Sequence, residues 1–149
     1  MSRLAHAEPH MLFLYRDAYL SLRHHRDEAH VRLTRSELQF GSVHRVASSL
    51  RECSKALRDL EVSRLGLLLD WRLAPLTTDP VLLKHVVQHT DTFAAAFARR
   101  ALLVATPIGL LQSERLGRTI HHARPVVFSD EAEAVAYARG DDPSDETEV

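Results

Sequence analysis

The sequence predicts an α/β fold in which a mostly parallel sheet packs against alternating helices. Short apolar segments such as Arg64–Trp71 (RLGLLLDW) and Ala101–Ala105 (ALLVA) show no polar alternation, which is typical of strands covered on both faces. Between them lie longer segments whose apolar residues recur at spacings of three and four, and this period predicts helices. Because strand and helix alternate, we expect parallel neighbours joined by right-handed crossovers.

The N-terminal part predicts an antiparallel hairpin at the edge of this sheet. Residues 1–9 are polar and without periodicity, so we expect a flexible leader. Met11–Tyr15 is a short apolar strand. Ala18–His25 and His30–Ser36 are the two strands of the hairpin, and the short charged segment 26–29 between them is typical of a hairpin loop.

Gly41 and Ser42 open the first predicted helix. Cys53 is the only cysteine, so no internal disulfide can form, and its place on the apolar face predicts a buried, unreactive thiol. The helix leads directly into the strand Arg64–Trp71. Its apolar face consists of Val43, Val46, Leu50, Cys53, Leu57 and Leu60.

A second helix begins at Pro80, with Asp79 or Thr78 as its cap, because proline is favoured at the first helical position. Arg99 and Arg100 are expected to close this helix, where positive charge complements the helix dipole. The apolar face consists of Leu83, Val86, Val87, Thr90, Phe93, Ala94 and Phe97.

The remaining elements repeat the same alternation. Thr106 and Pro107 begin a third predicted helix, which runs to His121 and His122, and Arg124–Phe128 is the last strand.

A last helix follows Asp130, which forms a capping pair with Glu133, and its small-residue face consists of Ala132, Val135 and Ala138. Residues 140–149 are acidic, and we expect a disordered tail. Residues 10–139 are therefore predicted to form a single domain.

Three segments resemble the STAS/SpoIIAA-like family of anti-sigma-factor antagonists, stressosome subunits and cytoplasmic domains of sulfate transporters. The segments are LLLDWRLAP, LTTDP and VVFSDEAEAVAYA. The last is similar to the family's ending F-x-[ST]-x-E-E-A-x-x-[WY]-[LI], here with Phe128, Ser129, Glu131, Ala132, Ala134 and Tyr137. The resemblance covers roughly 18–139 and implies a regulatory protein-interaction module of a bacterial signalling system.

The chain departs from the family where the family is phosphorylated. In anti-sigma antagonists the loop after the central strand ends in Asp-Ser-Ser-Gly, and the serine that opens the helix accepts phosphate. The matching position here is Asp79, and the glycine is absent. Thr77 or Thr78 could accept a phosphate near the helix N-terminus, or could serve only as capping residues.

Composition excludes several classes of partner. The 149 residues have a formal net charge of −1, so no overall field attracts nucleic acid or an anionic membrane. No apolar segment has the length of a membrane span, and the N-terminus lacks the apolar core of a secretory signal. We therefore expect a soluble, cytoplasmic protein.

The predicted site lies where Arg64–Trp71 ends, because open α/β sheets bind ligands at the carboxyl ends of their strands. This end carries an acid, an indole and a guanidinium, followed by two helix N-termini and two polar side chains of the third helix. An alternative is that Trp71 closes the core and Asp70 pairs with Arg72. The predicted binding residues are Asp70, Trp71, Arg72, Thr77, Thr78, Asp79, Thr106, Gln112 and Arg115.

Three functions compete. The first is a non-catalytic module that binds a regulatory protein or a second copy of itself. The second is a carrier of a small apolar ligand or lipid, since some SpoIIAA-like domains resemble Sec14-type proteins. Its pocket wall would come from Phe93 and Phe97, or from Leu110, Leu111 and Leu116.

The third is an enzyme. No nucleophile elbow, P-loop or dinucleotide motif occurs, so no catalytic residue or cofactor is predicted. Catalysis would require convergence of Asp70, Thr78, Asp79, His85 and Arg115. His85 and His89 have the i,i+4 spacing of metal ligands, but a third ligand is needed, and we predict no metal site.

Overall fold

The computed structural model describes residues 10–105 and 125–141, which form a six-stranded sheet with three helices. The order of the strands in the sheet is their order in the chain. The first two pairs are antiparallel and the next three are parallel, which confirms the predicted α/β class with its N-terminal hairpin. The strands are β1 Met11–Arg16, β2 Leu20–His25, β3 His30–Arg35, β4 Gly66–Asp70, β5 Arg99–Leu103 and β6 Val126–Phe128.

The helices begin at the predicted capping residues. Ser42 accepts a hydrogen bond from the Arg45 N–H, Asp79 from two amides of its helix, and Asp130 from the Glu133 N–H. Each cap satisfies backbone donors that have no partner within the helix. The helices are α1 Val43–Ala56, α2 Pro80–Ala94 and α3 Glu131–Arg139.

The sheet has a core on each face, and β4 contributes to both. Leu67 and Leu69 belong to the larger cluster, which includes side chains of α1 and α2. Leu68 belongs to the smaller cluster, beneath Ala134 and Ala138 of α3. The prediction that this apolar strand is covered on both faces is therefore confirmed.

α3 lies very close to the sheet at Gly66, the first residue of β4. A Cβ atom at this position would overlap the backbone carbonyl of Ala138. Glycine, together with the alanines of α3, therefore lets the helix backbone lie almost directly on the strand.

The prediction that Arg99 and Arg100 close the second helix is wrong. α2 ends at Ala94, and both arginines are the first residues of β5. The Arg99 guanidinium donates instead to the carbonyls of Tyr137 and Ala138, at the end of α3. The positive charge of Arg99 therefore complements the C-terminus of α3, which is remote in sequence, and not the C-terminus of α2.

The predicted faces of all three helices need correction. α2 ends at Ala94, so Phe97 lies in the segment between α2 and β5, although it still packs on the core. α1 ends at Ala56, so Leu57 is its capping residue and Leu60 lies in the following turn, although both still pack on the core. On α3, Ala132 is exposed and Ala134 is buried in its place. A face of alanines carries too little apolar contrast to fix the rotation of a short helix.

Cys53 is fully buried, and burial raises its pKa to about 12, which agrees with an unreactive thiol.

Several predictions fall outside the described residues. These are the flexible leader 1–9, the helix beginning at Thr106, and the acidic tail beyond Asp141. Within residues 10–105 and 125–141, no helix combines the length and apolar character that crossing a bilayer requires.

Candidate functional site

Asp70 is the last residue of β4, and its carboxylate is held by the residue two positions later. Its side chain is buried, with 4% exposure of the residue. Arg72 donates to both carboxylate oxygens, from Nε to Oδ1 at 2.9 Å and from Nη2 to Oδ2 at 2.7 Å. This bidentate geometry is the strongest arrangement of an arginine–carboxylate pair.

Two residues remote in sequence complete a network around this pair. Glu131, at the start of α3, accepts a hydrogen bond from Arg72 Nη1 at 3.1 Å and from Arg32 Nη1 at 2.9 Å. Arg32 is a buried residue of β3, and its Nη1 lies 3.9 Å from Asp70 Oδ2. The four charges therefore tie β3, the end of β4 and the first turn of α3 together.

The network sets the pKa of both carboxyl groups. Burial alone would raise the pKa of Asp70, but the hydrogen bonds and charge of Arg72 outweigh burial and lower it. For Glu131, the hydrogen bond from Arg32 is the largest influence and also lowers the pKa. Both groups are therefore ionised at neutral pH.

These shifts predict a loss of stability in acid. A carboxyl group whose native pKa is lowered stabilises the fold above its unfolded pKa, and this contribution is lost as pH falls through the native value. We expect the free energy of unfolding to decrease as the pH falls below the ordinary carboxyl pKa values, 4.5 for Glu and 3.8 for Asp. Urea unfolding across the acid range measures this. Glu131→Gln should reduce the pH slope, and an unchanged slope would contradict a lowered pKa at Glu131.

Trp71 lies half-buried against the larger core cluster. Its backbone N–H continues the parallel ladder by donating to the Leu103 carbonyl at 2.9 Å. The arrangement that the sequence allowed as an alternative, with Trp71 on the core and Asp70 paired with Arg72, is therefore present. Neither feature by itself identifies a ligand.

The predicted residues 77–79 follow the same end of the sheet. Thr77 is half-buried, and its hydroxyl donates to the Gln39 side-chain oxygen at 3.3 Å. Thr78 is exposed. Asp79 caps α2, with its Oδ1 accepting from the Val81 N–H at 3.0 Å. The other predicted binding residues, Thr106, Gln112 and Arg115, lie outside the described residues.

Apolar side chains are exposed on the loops around this site and on the first turn of α2. Among the described residues, four of the seven exposed large apolar side chains lie on the segments that follow β3 and β4. Gln39 holds the two loops together by donating to the Leu76 carbonyl at 3.1 Å. We refer to these four side chains as the carboxyl-end surface: Leu38, Leu73, Leu76 and Val81.

Sequence reasoning missed Arg32 and Glu131. The signal for Arg32 was a charge at the centre of a strand whose neighbours Val31 and Leu33 are apolar, which requires a buried partner. Glu131 was assigned only to the family-like ending, because its partner Arg32 is 99 residues away.

Phe93 and Phe97, the predicted pocket wall of a carrier, pack on each other within the core, with ring centroids 5.7 Å apart. His85 and His89 stack at 5.9 Å between ring centroids. In the part of the chain that is described, these two histidines do not belong to any group of three metal-ligating side chains.

No protein-family model matches the chain, and no match was found among curated proteins or among solved structures.

Proposed function

We propose that the chain is a non-catalytic, STAS-like regulatory module that binds a partner protein through the carboxyl-end surface. The observation that carries this proposal is the concentration of exposed apolar side chains at that end of the sheet. Leu73 and Val81 are each 60% exposed. Leu73 lies in the loop after β4, and Val81 lies in the first turn of α2. A concentration of exposed large apolar side chains is typical of protein-interaction sites.

The surroundings of these side chains favour recognition over catalysis. The buried carboxylate Asp70 is already engaged by Arg72, and Asp79 by the first turn of α2. These contacts fix the backbone on either side of the exposed leucines. A preorganised loop loses less conformational entropy on binding, so it suits a surface that recognises a partner.

Surface leucines give a sharper test than Trp71. Because Trp71 packs on the core, Trp71→Ala would remove core contacts as well as binding contacts. Leu73→Ser combined with Leu76→Ser changes only exposed side chains. The matched control is Leu12→Ser with Phe13→Ser, which removes exposed apolar groups from β1, an edge strand of the sheet.

The experiment compares these variants as immobilised baits in extract from the native cells. We expect the Leu73/Leu76 variant to capture the partner at least about tenfold less than the unmodified chain, because each lost anchor costs one or more kcal/mol. The Leu12/Phe13 control should retain capture. Equal capture by all three chains, or none by the unmodified chain, would contradict the proposal.

Two measurements on the purified chain identify other outcomes. Light scattering that shows a dimer lost only in the Leu73/Leu76 variant would make the partner a second copy of the chain. Native mass spectrometry that finds a co-bound apolar molecule, without partner capture, would favour the carrier function instead.

A further inference from the structure

A second cluster of chemically active side chains lies at the other end of the sheet, where the β2–β3 hairpin turns. His25 ends β2 and His30 begins β3, and the two are direct cross-strand partners. Glu28 lies in the turn between them. One ligand atom from each of the three residues lies within 4.8 Å of the others, and no other such group occurs within residues 10–105 and 125–141.

The backbone of the turn explains this convergence. Arg26–Glu28 form one turn of 3-10 helix, and Ala29 adopts a left-handed conformation with φ of 49°. The chain therefore reverses within four residues and leaves the histidines facing each other. Their rings stack almost in parallel, with an interplanar angle of 6° and centroids 4.9 Å apart.

The hydrogen bonding of His30 leaves one ring nitrogen with a free lone pair. His30 is fully buried, with 0% exposure. Its Nδ1 lies 3.2 Å from the Glu28 carbonyl oxygen, which can only accept, so Nδ1 carries the proton. The Nε2 atoms of His30 and His25 are both buried and have no hydrogen-bond partner among the described residues.

His30 therefore has the hydrogen bonding that is typical of a histidine that ligates a metal ion. A ligating imidazole commonly donates its other N–H to a backbone carbonyl, which fixes the tautomer and orients the ring.

We propose that His25, Glu28 and His30 bind a divalent transition-metal ion such as Zn²⁺, with water in the fourth position. Two imidazoles and a carboxylate are a ligand set that zinc accepts. The ligand atoms would close from within 4.8 Å to about 3.4 Å, the edge of a tetrahedron with bonds of about 2.1 Å. Glu28 is half-exposed, so its side chain has room to rotate toward the ion. The two stacked imidazole rings would also tilt on binding, because their lone pairs lie in the ring planes and must converge on the ion.

Two neighbouring arginines are expected to weaken the affinity of this site for a metal ion. Arg32 and Arg23 both act on His25 electrostatically and oppose a cation nearby. The carboxylate of Glu28 offsets part of this repulsion, so Glu28 should matter to affinity as much as either imidazole. The site is independent of the carboxyl-end surface, since it lies at the opposite end of β3.

The experiment uses the full chain, prepared without a polyhistidine tag and stripped with a chelator. Isothermal titration with Zn²⁺ measures stoichiometry and affinity, and visible absorption after addition of Co²⁺ reports the ligand geometry. Glu28→Gln and His25→Asn remove one ligand each. His24→Asn is the matched control, because His24 neighbours His25 but lies on the opposite face of β2.

We expect one Zn²⁺ per chain, with an affinity that falls at least about tenfold in Glu28→Gln and in His25→Asn. His24→Asn should bind as the unmodified chain does. Circular dichroism of the metal-free variants shows whether they remain folded, and Glu28→Gln keeps the test valid if His25→Asn unfolds. Absence of stoichiometric binding, or binding that is lost only in His85→Asn with His89→Asn, would overturn the proposal.

Discussion

Replacing Gly66 by alanine is expected to destabilise the protein by about 3 kcal/mol, the upper part of the range for overpacking a tight core. The added methyl would occupy the position of the Ala138 carbonyl. This atom belongs to the backbone of α3, so no side-chain rotation relieves the overlap. Either α3 moves away from β4 and exposes the smaller core cluster, or the strand distorts. Urea unfolding followed by circular dichroism measures the change.

Gly41→Ala is the matched control for this substitution. Gly41 lies just before α1, and no heavy atom lies within 4 Å of the position that its Cβ would take. We expect its free energy of unfolding to change by less than about 0.5 kcal/mol. If Gly66→Ala is as stable as Gly41→Ala, α3 does not pack on β4 as closely as described.

Asp70→Asn is expected to cost about 3 kcal/mol of stability at neutral pH, because it leaves buried positive charge without its partner. The amide keeps the shape of the side chain but presents N–H groups to Arg72. Arg32, which is 6% exposed, would then face only the half-exposed Glu131. Chemical unfolding at neutral pH gives the loss directly.

The contrast with an exposed ion pair tests the role of burial. Glu61 and Arg64 form such a pair, with their side chains 75% and 79% exposed. Solvent screens a pair of this kind, so Glu61→Gln should change stability by less than about 1 kcal/mol. A loss for Asp70→Asn no larger than that for Glu61→Gln would mean that the network does not hold β3, β4 and α3 together.

The elements that were predictable from sequence are those whose signals are local. The caps at Ser42, Asp79 and Asp130 act on amides within three residues, so each helix start was accessible. The uninterrupted leucines of β4 indicated burial on both faces, which the two core clusters confirm. The acid–arginine pair of Asp70 and Arg72 is equally local, and the sequence allowed for it.

The contacts that could not be predicted join residues that are far apart in the sequence. The sequence predicts Arg99 at the end of the preceding helix, because nothing local indicates that its guanidinium contacts the carbonyls of Tyr137 and Ala138. The sequence indicates Glu131 only as part of a motif, although its contacts with Arg32 and Arg72 place it in the network around Asp70. Pairings of this kind are set by packing of α3 on the sheet, which periodicity alone does not specify.

Because sheet order follows chain order, each strand after β1 pairs with the strand synthesised before it, which has already left the ribosome. β1 to β3 can assemble as a nucleus, and later strands can dock one at a time without waiting for the C-terminal segment. The contacts of α3 are the exception, and among them the contact between Arg32 and Glu131 spans 99 residues. During synthesis, the Arg32 guanidinium would therefore lack the Glu131 carboxylate as a partner until nearly the whole domain has emerged.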